Sequence, residues 1–302
     1  MKLRLLLAVW LIGSASVCFA QASGNVGYGQ SGGNAKAKQN ERNKRVLAQS
    51  ELPPAGSMFI EASVLFNAKA NEYVAVFGIA QEGATVAECN QKMDATVNAF
   101  SGELRQLGLA PEAVFVDFAT QTKIYGYQAT GSIAKERLVG FELKKNISIH
   151  YRDKLLLDKL IIAASRAKIF DLIKVDYLVK DTAAVQDRLM EEAARIIKLK
   201  AARYEKLLGL KLQPLPQVYA EKPSVYFPAE MYDSYTAQES EEMSSDSDRQ
   251  RYTIQGARKS RTFFFNALNA DGFDSVINPV VIEPVVQYTL YLKVKYELGQ
   301  SK

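Results

Sequence analysis

Histidine, cysteine and tryptophan are scarce in this chain. Its 302 residues include one histidine, two cysteines and one tryptophan. A zinc site needs three or four His, Cys or carboxylate ligands, and this inventory is too small for a typical set. Nucleophilic catalysis by a Ser–His or Cys–His pair needs a nearby general base, and only His150 is available. We therefore expect no enzyme, and we assign no catalytic, cofactor-binding or metal-binding residues.

Concentrated charge and phosphate-binding motifs are also missing. The 38 basic and 33 acidic residues give a net charge of +5, and they are spread along the chain. This pattern argues against a surface for nucleic acid. The glycine-bearing stretch at 125–132 lacks the Gly-Lys-Ser/Thr of a phosphate loop. We predict that the protein has no nucleic-acid partner and no cofactor.

The first twenty residues are typical of a secretory signal peptide. Lys2 and Arg4 form a basic start, an apolar run follows, and Cys18-Phe-Ala20 is a small-residue end before Gln21. The alternatives are a membrane anchor, for which the apolar run is short, and lipid attachment at Cys18, where Val17 is bulky. Cleavage leaves Cys89 as the lone thiol, so we expect no intrachain disulfide and no transmembrane span. The expected location is the periplasm or the outer membrane.

The mature N-terminus has few large apolar side chains. Residues 21–55 are rich in Gly, Asn, Gln, Ser, Lys and Ala. Such a segment buries too little surface to offset its ordering entropy. We predict a flexible N-terminal segment.

Alternating and helical periods organise the stretch from Gly140 to Gly209. Apolar residues alternate over 141–151 and again over 173–179, which predicts two strands. Stripes with helical spacing predict helices over 154–168 and 182–208, with Gly209 ending the second. His150 lies on the polar side of its strand near Ser148 and Asp153, and an exposed or hydrogen-bonded strand histidine is favoured over a catalytic base.

The preceding residues predict two strands, a helix and a third strand. Residues 58–66 and 73–81 read as a hairpin, and the second strand is apolar on both faces, which indicates a central position. Thr85 and Glu88 fit a capping box for a helix over 85–107, and Cys89 lies in its apolar stripe as a small buried residue. A strand over 114–124 leads to the 125–132 stretch, which we interpret as a tyrosine-bearing loop.

A proline-punctuated and acidic segment separates this region from the final strand. Residues 213–285 read as an insertion that is partly disordered, and their acidic run lacks the spacing of a calcium loop. The apolar cluster Phe263-Phe-Phe265 lies within it. Residues 286–298 alternate clearly, and a strand of that length must pair inside a sheet or with another chain.

This order of elements resembles the SIMPL domain family, also called the periplasmic/outer-membrane immunogenic protein family of bacteria. The matching segments are Val76-Phe-Gly-Ile-Ala-Gln-Glu-Gly83, Leu104-Arg-Gln-Leu-Gly108, 116–125, 147–160, Asp187 to Lys211 and Tyr288 to Leu298. The resemblance covers residues 57–212 plus 286–299. It implies an α+β fold in the bacterial envelope and ring-like oligomers in some members. No catalytic residues come with it.

We predict an α+β fold in which a largely antiparallel sheet is covered on one face by amphipathic helices. The favoured function is a non-enzymatic envelope protein, a homo-oligomer that acts as a scaffold or a channel-like ring. The alternative is a periplasmic binding or stress-protection module that captures a peptide or small ligand through the 213–285 insertion. A third hypothesis, a hydrolase, predicts a pocket with converging carboxylates, for which the sequence offers no supporting feature.

Overall fold

A computed structural model describes residues 53–131, 133–235 and 262–299. Within these ranges the chain forms ten strands and three α-helices. The strands are β1 (Ser57–Ala68), β2 (Glu72–Gly83), β3 (Val114–Thr130), β4 (Ile133–Tyr151), β5 (Asp171–Leu178), β6 (Gln217–Tyr226), β7 (Tyr232–Tyr235), β8 (Thr262–Phe265), β9 (Ser275–Ile277) and β10 (Val286–Glu297). The helices are α1 (Val86–Gln106), α2 (Leu156–Arg166) and α3 (Thr182–Leu208). The signal peptide predicted at 1–20 lies outside these ranges, as does all but the end of the 21–55 segment.

The strands form two four-stranded sheets rather than one. Sheet A has the order β6-β10-β1-β9, and sheet B has the order β3-β4-β2-β5. Their pairings are antiparallel except for the short parallel contact of β1 with β9. The α+β class with antiparallel-rich sheets is confirmed, and the single sheet is replaced by two.

The hairpin predicted for the first two strands is wrong. β1 lies in sheet A and pairs with β10 along its whole length, from Ser57 opposite Glu297 to Ala68 opposite Val286. β2 lies in sheet B between β4 and β5, so its predicted central position is confirmed. The prediction that both segments are strands is correct, but a short connection between two strands does not determine which strands pair.

Local signals in the sequence place the helix ends. The Thr85 hydroxyl accepts from the Glu88 amide at 3.2 Å, and the Glu88 carboxylate accepts from the Ala84 amide at 2.9 Å, so α1 begins with two satisfied amides. Asp181 caps α3 by accepting from the Ala184 amide at 2.9 Å. Gly209 follows α3 with a φ of +66°, a conformation that favours glycine.

Each sheet has its own helix-covered core. Helix α3 packs Leu189, Ala193 and Ile197 against the alternate residues of β1 and β10. Helices α1 and α2 cover sheet B, where Phe77 and Phe100 meet edge to face with ring centroids 5.6 Å apart. The three predicted covering helices are therefore divided between the sheets: one lies on sheet A and two lie on sheet B.

The described parts of the 213–285 segment are built onto sheet A. β6 pairs with β10, and β9 pairs with β1, so the segment supplies both edge strands. The short sheet of β7 and β8 brings Met231 against Leu65, together with Leu268. Residues 236–261, which hold most of the predicted acidic run, lie outside the described ranges.

Candidate functional site

A row of three tyrosines crosses sheet B on the face that the helices cover. Tyr73 of β2 stands directly opposite Tyr151 of β4 on one side and Tyr177 of β5 on the other. The Tyr73 and Tyr151 rings stack with centroids 5.4 Å apart, and the Tyr177 ring meets Tyr73 edge-on at 5.5 Å. Directly opposed side chains on paired strands lie close enough for such contacts.

These tyrosines form one wall of a cavity of about 250 Å³ beside the start of α2. The other walls come from α2 and from the connections that lead into β2 and β10. The lining residues are Lys69, Ala70, Tyr73, Tyr151, Lys154, Leu155, Leu157, Val175, Tyr177, Glu283 and Pro284. An apolar cavity with a few convergent polar groups is the usual form of a small-molecule site.

Two lysines and one glutamate line the polar side of this cavity. The Glu283 carboxylate lies 2.8 Å from the Lys154 ammonium and 3.2 Å from the Lys69 ammonium. Hydrogen bonds from Lys154 and Lys69 lower the pKa of Glu283, and the bond to Glu283 raises the pKa of Lys154. Glu283 and Lys154 are therefore both charged near neutral pH. By formal charge, the described lining residues carry a net charge of +1.

The three hydroxyl groups of the row differ in their partners. The Tyr73 hydroxyl donates to the Ala70 carbonyl at 3.1 Å, and Tyr177 is hydrogen-bonded to Tyr232. Tyr151 has only 3% of its surface exposed, and its hydroxyl has no hydrogen-bond partner in the described part of the chain. Burial, with a smaller effect of Tyr73, raises the pKa of Tyr151 to about 12, so the group remains a neutral donor.

A second feature is a two-stranded arm that extends from sheet B. β2 ends opposite Phe141 of β4, so within the described part of the chain the residues of β3 and β4 beyond that point pair only with each other. We define the arm as residues 124–131 and 133–140. Its exposed large apolar residues are Tyr125, Tyr127, Ile133, Leu138 and Val139. A Cβ added to Gly126 would lie 3.0 Å from Val139 Cγ1, so glycine allows Val139 to pack across the arm.

The arm corrects one sequence prediction. Residues 125–132 were predicted to form a tyrosine-bearing loop, but β3 continues to Thr130 and β4 begins at Ile133. The turn is therefore only a few residues long. Tyrosine and β-branched residues favour strands, and the glycines of this stretch hid that preference.

Cys89 and His150 lie apart from the cavity. Cys89 lies on the buried face of α1, as predicted, and its thiol donates to the Phe141 carbonyl at 3.2 Å. His150 lies on the other face of β4, where its Nε2 is 3.2 Å from the Glu72 carboxylate, so its hydrogen-bond partner is Glu72 and not the predicted neighbours Ser148 or Asp153. Partial burial opposes ionisation of Glu72, but hydrogen bonds with His150 and Arg152 outweigh it and lower its pKa.

The described residues offer neither a metal site nor a membrane-spanning helix. No group of three His, Cys, Asp or Glu side chains in those ranges is placed to hold a metal ion. Among the helices that the structure describes, none combines the length and apolarity that crossing a membrane requires.

Phe263 and Phe264 of β8 are exposed, while Phe265 packs with Met231 and Leu268.

The sequence reading missed the tyrosine row and the cavity. Tyr73, Tyr151 and Tyr177 lie on three strands that are far apart in the chain, and Glu283 comes from the segment read as an insertion. The available signal was an aromatic residue on the inner face of each of three strands. Only the strand pairing brings these residues into one row.

The architecture defines an α+β domain of two antiparallel-rich sheets, each with helices on one face. The family model that describes SIMPL, a protein of unknown function (DUF541), matches residues 62–257. The chain belongs to the SIMPL family, as its resemblance predicted. The match includes much of the 213–285 segment. No curated protein matches the chain.

Proposed function

We propose that this protein is a non-enzymatic interaction domain of the bacterial envelope and that copies of it associate through the arm. The envelope location is supported by the signal-like first twenty residues and by membership of the SIMPL family. The exposed arm is the observation that carries the association. A two-stranded hairpin is marginally stable alone in water, so a projecting one gains from a partner.

The arm is suited to a second copy of itself. Both of its strand edges lack a neighbouring strand within the described part of the chain, and its exposed side chains are mostly apolar. Backbone groups at such edges are templates for another strand. Arm against arm gives a closed dimer, whereas arm against a different surface of the next copy gives a ring or a filament. The scaffold or channel-like ring predicted from the sequence corresponds to the second arrangement, in which the arm contacts a different surface of the next copy.

Light scattering on a sizing column tests this association. We expect the wild-type protein, purified from the periplasmic fraction and beginning at Gln21, to elute as a discrete assembly. Tyr127→Lys places a charge on the arm opposite Glu136. It should shift the protein towards monomer, because removing an ammonium group from water at an interface is costly even when a carboxylate pairs with it.

The matched control is Leu207→Lys at the end of α3. Leu207 is 74% exposed and Tyr127 is 75% exposed, so both changes put a lysine at an equally exposed apolar position. The control should assemble like the wild type. A monodisperse wild-type monomer at high concentration would refute association. An equal effect of both variants would show that association does not depend on the arm in particular.

A second candidate function is the binding of a small ligand. Glu283 and Pro284 of the 213–285 segment line the tyrosine cavity, which supports the alternative predicted from the sequence. Glu283 is the one carboxylate among the described lining residues, so these residues do not include the pair of carboxylates that a glycoside hydrolase uses.

A further inference from the structure

We propose that the tyrosine cavity binds a small carboxylate with an aromatic or apolar body. This inference rests on the second candidate function and is independent of the arm. The cavity of about 250 Å³ is smaller than the sites that enclose drug-sized ligands, so the ligand is small.

The charge of the cavity selects an anion. Lys69 and Lys154 each contact one carboxylate, that of Glu283. An ammonium group has three donors, so each lysine retains donors for a further acceptor. Both side chains are largely exposed at the cavity rim, where an incoming anion can reach them.

Asp153 is a further acidic group close to the cavity. It lies within electrostatic reach of Tyr73, but it does not line the cavity. Its carboxylate accepts from the Leu155 amide at 3.0 Å, just before α2. The anion-binding groups of the cavity are therefore Lys69 and Lys154.

The Tyr151 hydroxyl supplies a hydrogen-bond donor at the cavity. Tyr151 lines the cavity, and its hydroxyl makes no hydrogen bond to another described residue. This hydroxyl is not one of the fully buried polar atoms, so it stays accessible to a bound molecule. A ligand oxygen would accept a hydrogen bond from it.

The remaining walls select the body of the ligand and exclude a cation. Leu155, Leu157, Val175 and Pro284 offer apolar surface. Recognition of a quaternary ammonium needs open aromatic faces around the charge. Here the Tyr73 ring is stacked on Tyr151 and is met edge-on by Tyr177, and the lysines would repel a cation.

Titration calorimetry with named probes tests the class of ligand. The probes are benzoate, phenylacetate and hexanoate, with benzamide and benzylamine as neutral and cationic counterparts. We expect saturable binding of at least one carboxylate, binding at least tenfold weaker for benzamide, and none for benzylamine. Absence of saturable binding for all three carboxylates would overturn the proposal, as would stronger binding of benzylamine.

Three variants with effects of different sign locate the site. Tyr151→Phe keeps the ring and removes the hydroxyl, and Lys154→Gln removes one rim charge; each should weaken carboxylate binding about tenfold, the size of one hydrogen bond to a charged group. Glu283→Gln removes the competing carboxylate and should tighten binding several-fold. If Glu283→Gln weakens binding as much as Lys154→Gln does, the inference fails.

Controls separate these effects from folding. Lys159→Gln changes a lysine that lies on α2 and does not line the cavity, and it should leave the affinity unchanged. If Lys154→Gln does not fold, Lys69→Gln in the β1–β2 connection gives the same measurement. If a monomeric protein binds carboxylates, association through the arm is refuted and the binding site in the cavity is retained. If the protein assembles but binds no carboxylate, the binding site is refuted and association through the arm is retained.

Discussion

At the scale of single residues, the unusual feature is the set of buried polar side chains on the face of β10 opposite to α3. Thr289 is buried, and its hydroxyl has no hydrogen-bond partner in the part of the chain that the structure describes. It stands opposite Leu65, which packs with Met231 and Leu268. An unsatisfied hydroxyl in apolar surroundings reduces stability.

Thr289→Val should therefore stabilise the protein by about 1 kcal/mol, because valine has the same shape without the hydroxyl and favours strands. Thr289→Ser is the complementary control. It keeps the hydroxyl, removes a buried methyl group and should destabilise by about 1 kcal/mol. Urea unfolding measures both free energies. Destabilisation by Thr289→Val would mean that the hydroxyl is satisfied.

At the scale of elements, helix α3 is linked to sheet A by a hydrogen bond to Glu192 as well as by its apolar stripe. Glu192 accepts from Arg195 at 2.6 and 2.7 Å and from the Ser275 hydroxyl of β9 at 2.6 Å. Hydrogen bonds from Arg195 and Ser275 lower the pKa of Glu192 from 4.5 to about 2. The carboxylate therefore stabilises the folded state only while it is ionised.

The sign of the pH effect follows from this lowered pKa. A carboxyl group whose pKa is lower in the folded state stabilises the protein above its unfolded pKa, and the contribution disappears as the pH falls from 4.5 to about 2. Glu192→Gln should lower the free energy of unfolding by about 2 kcal/mol at pH 7, discounted for partial exposure. The difference should vanish near the lower end of that range.

Thermal unfolding of the wild type and of Glu192→Gln across this pH range provides the measurement. Glu191→Gln, at the neighbouring exposed position of α3, is the control and should change stability little at any pH. A pH-independent difference for Glu192→Gln would show that the lost stability does not come from ionisation.

At the scale of the whole molecule, the first and the last long strands of the described chain, β1 and β10, pair with each other in sheet A. β10 lies between β1 and β6, and its inner side chains pack on α3. Sheet B does not include β10, and its core is formed with α1 and α2. The two cores therefore depend differently on the last strand.

Ending the chain before Val286 should unfold sheet A and α3 while α1 keeps its structure. Removing β10 exposes the apolar faces of β1 and α3, whereas Phe77 and Phe100 keep their contact in sheet B. Hydrogen exchange of the α1 and α3 amides distinguishes the two regions. Ending the chain after Gly299, which leaves β10 complete, is the control. Retained protection of α3 in the shorter protein would contradict this prediction.

Local signals were sufficient for most elements. The capping residues Thr85 and Asp181 and the terminal Gly209 are read from short segments, because each acts on backbone groups within one helical turn. The alternation of β1, β2 and β10 predicts strands for the same reason. The burial of Cys89 followed from its place in a helical stripe.

The partners of the strands were not readable in this way. β1 and β2 are adjacent in sequence but belong to different sheets, because an apolar strand can pair with any strand that offers a matching face. Register irregularities also move residues between faces. The apolar alternation over 173–179 begins with Ile173 and predicts that this residue shares the inner face, but a shift in the β2–β5 pairing leaves it exposed beside Gly78.

By itself, the sequence determined the elements, their faces, the SIMPL family and the scarcity of catalytic side chains, since these depend on residue type and short-range spacing. Only the tertiary structure decided the two sheets, the arm and the cavity. Tyr73, Tyr151 and Tyr177 become neighbours through strand register, and Glu283 reaches Lys69 and Lys154 through the path of the chain before β10. Such contacts depend on long-range pairing, which no local period encodes.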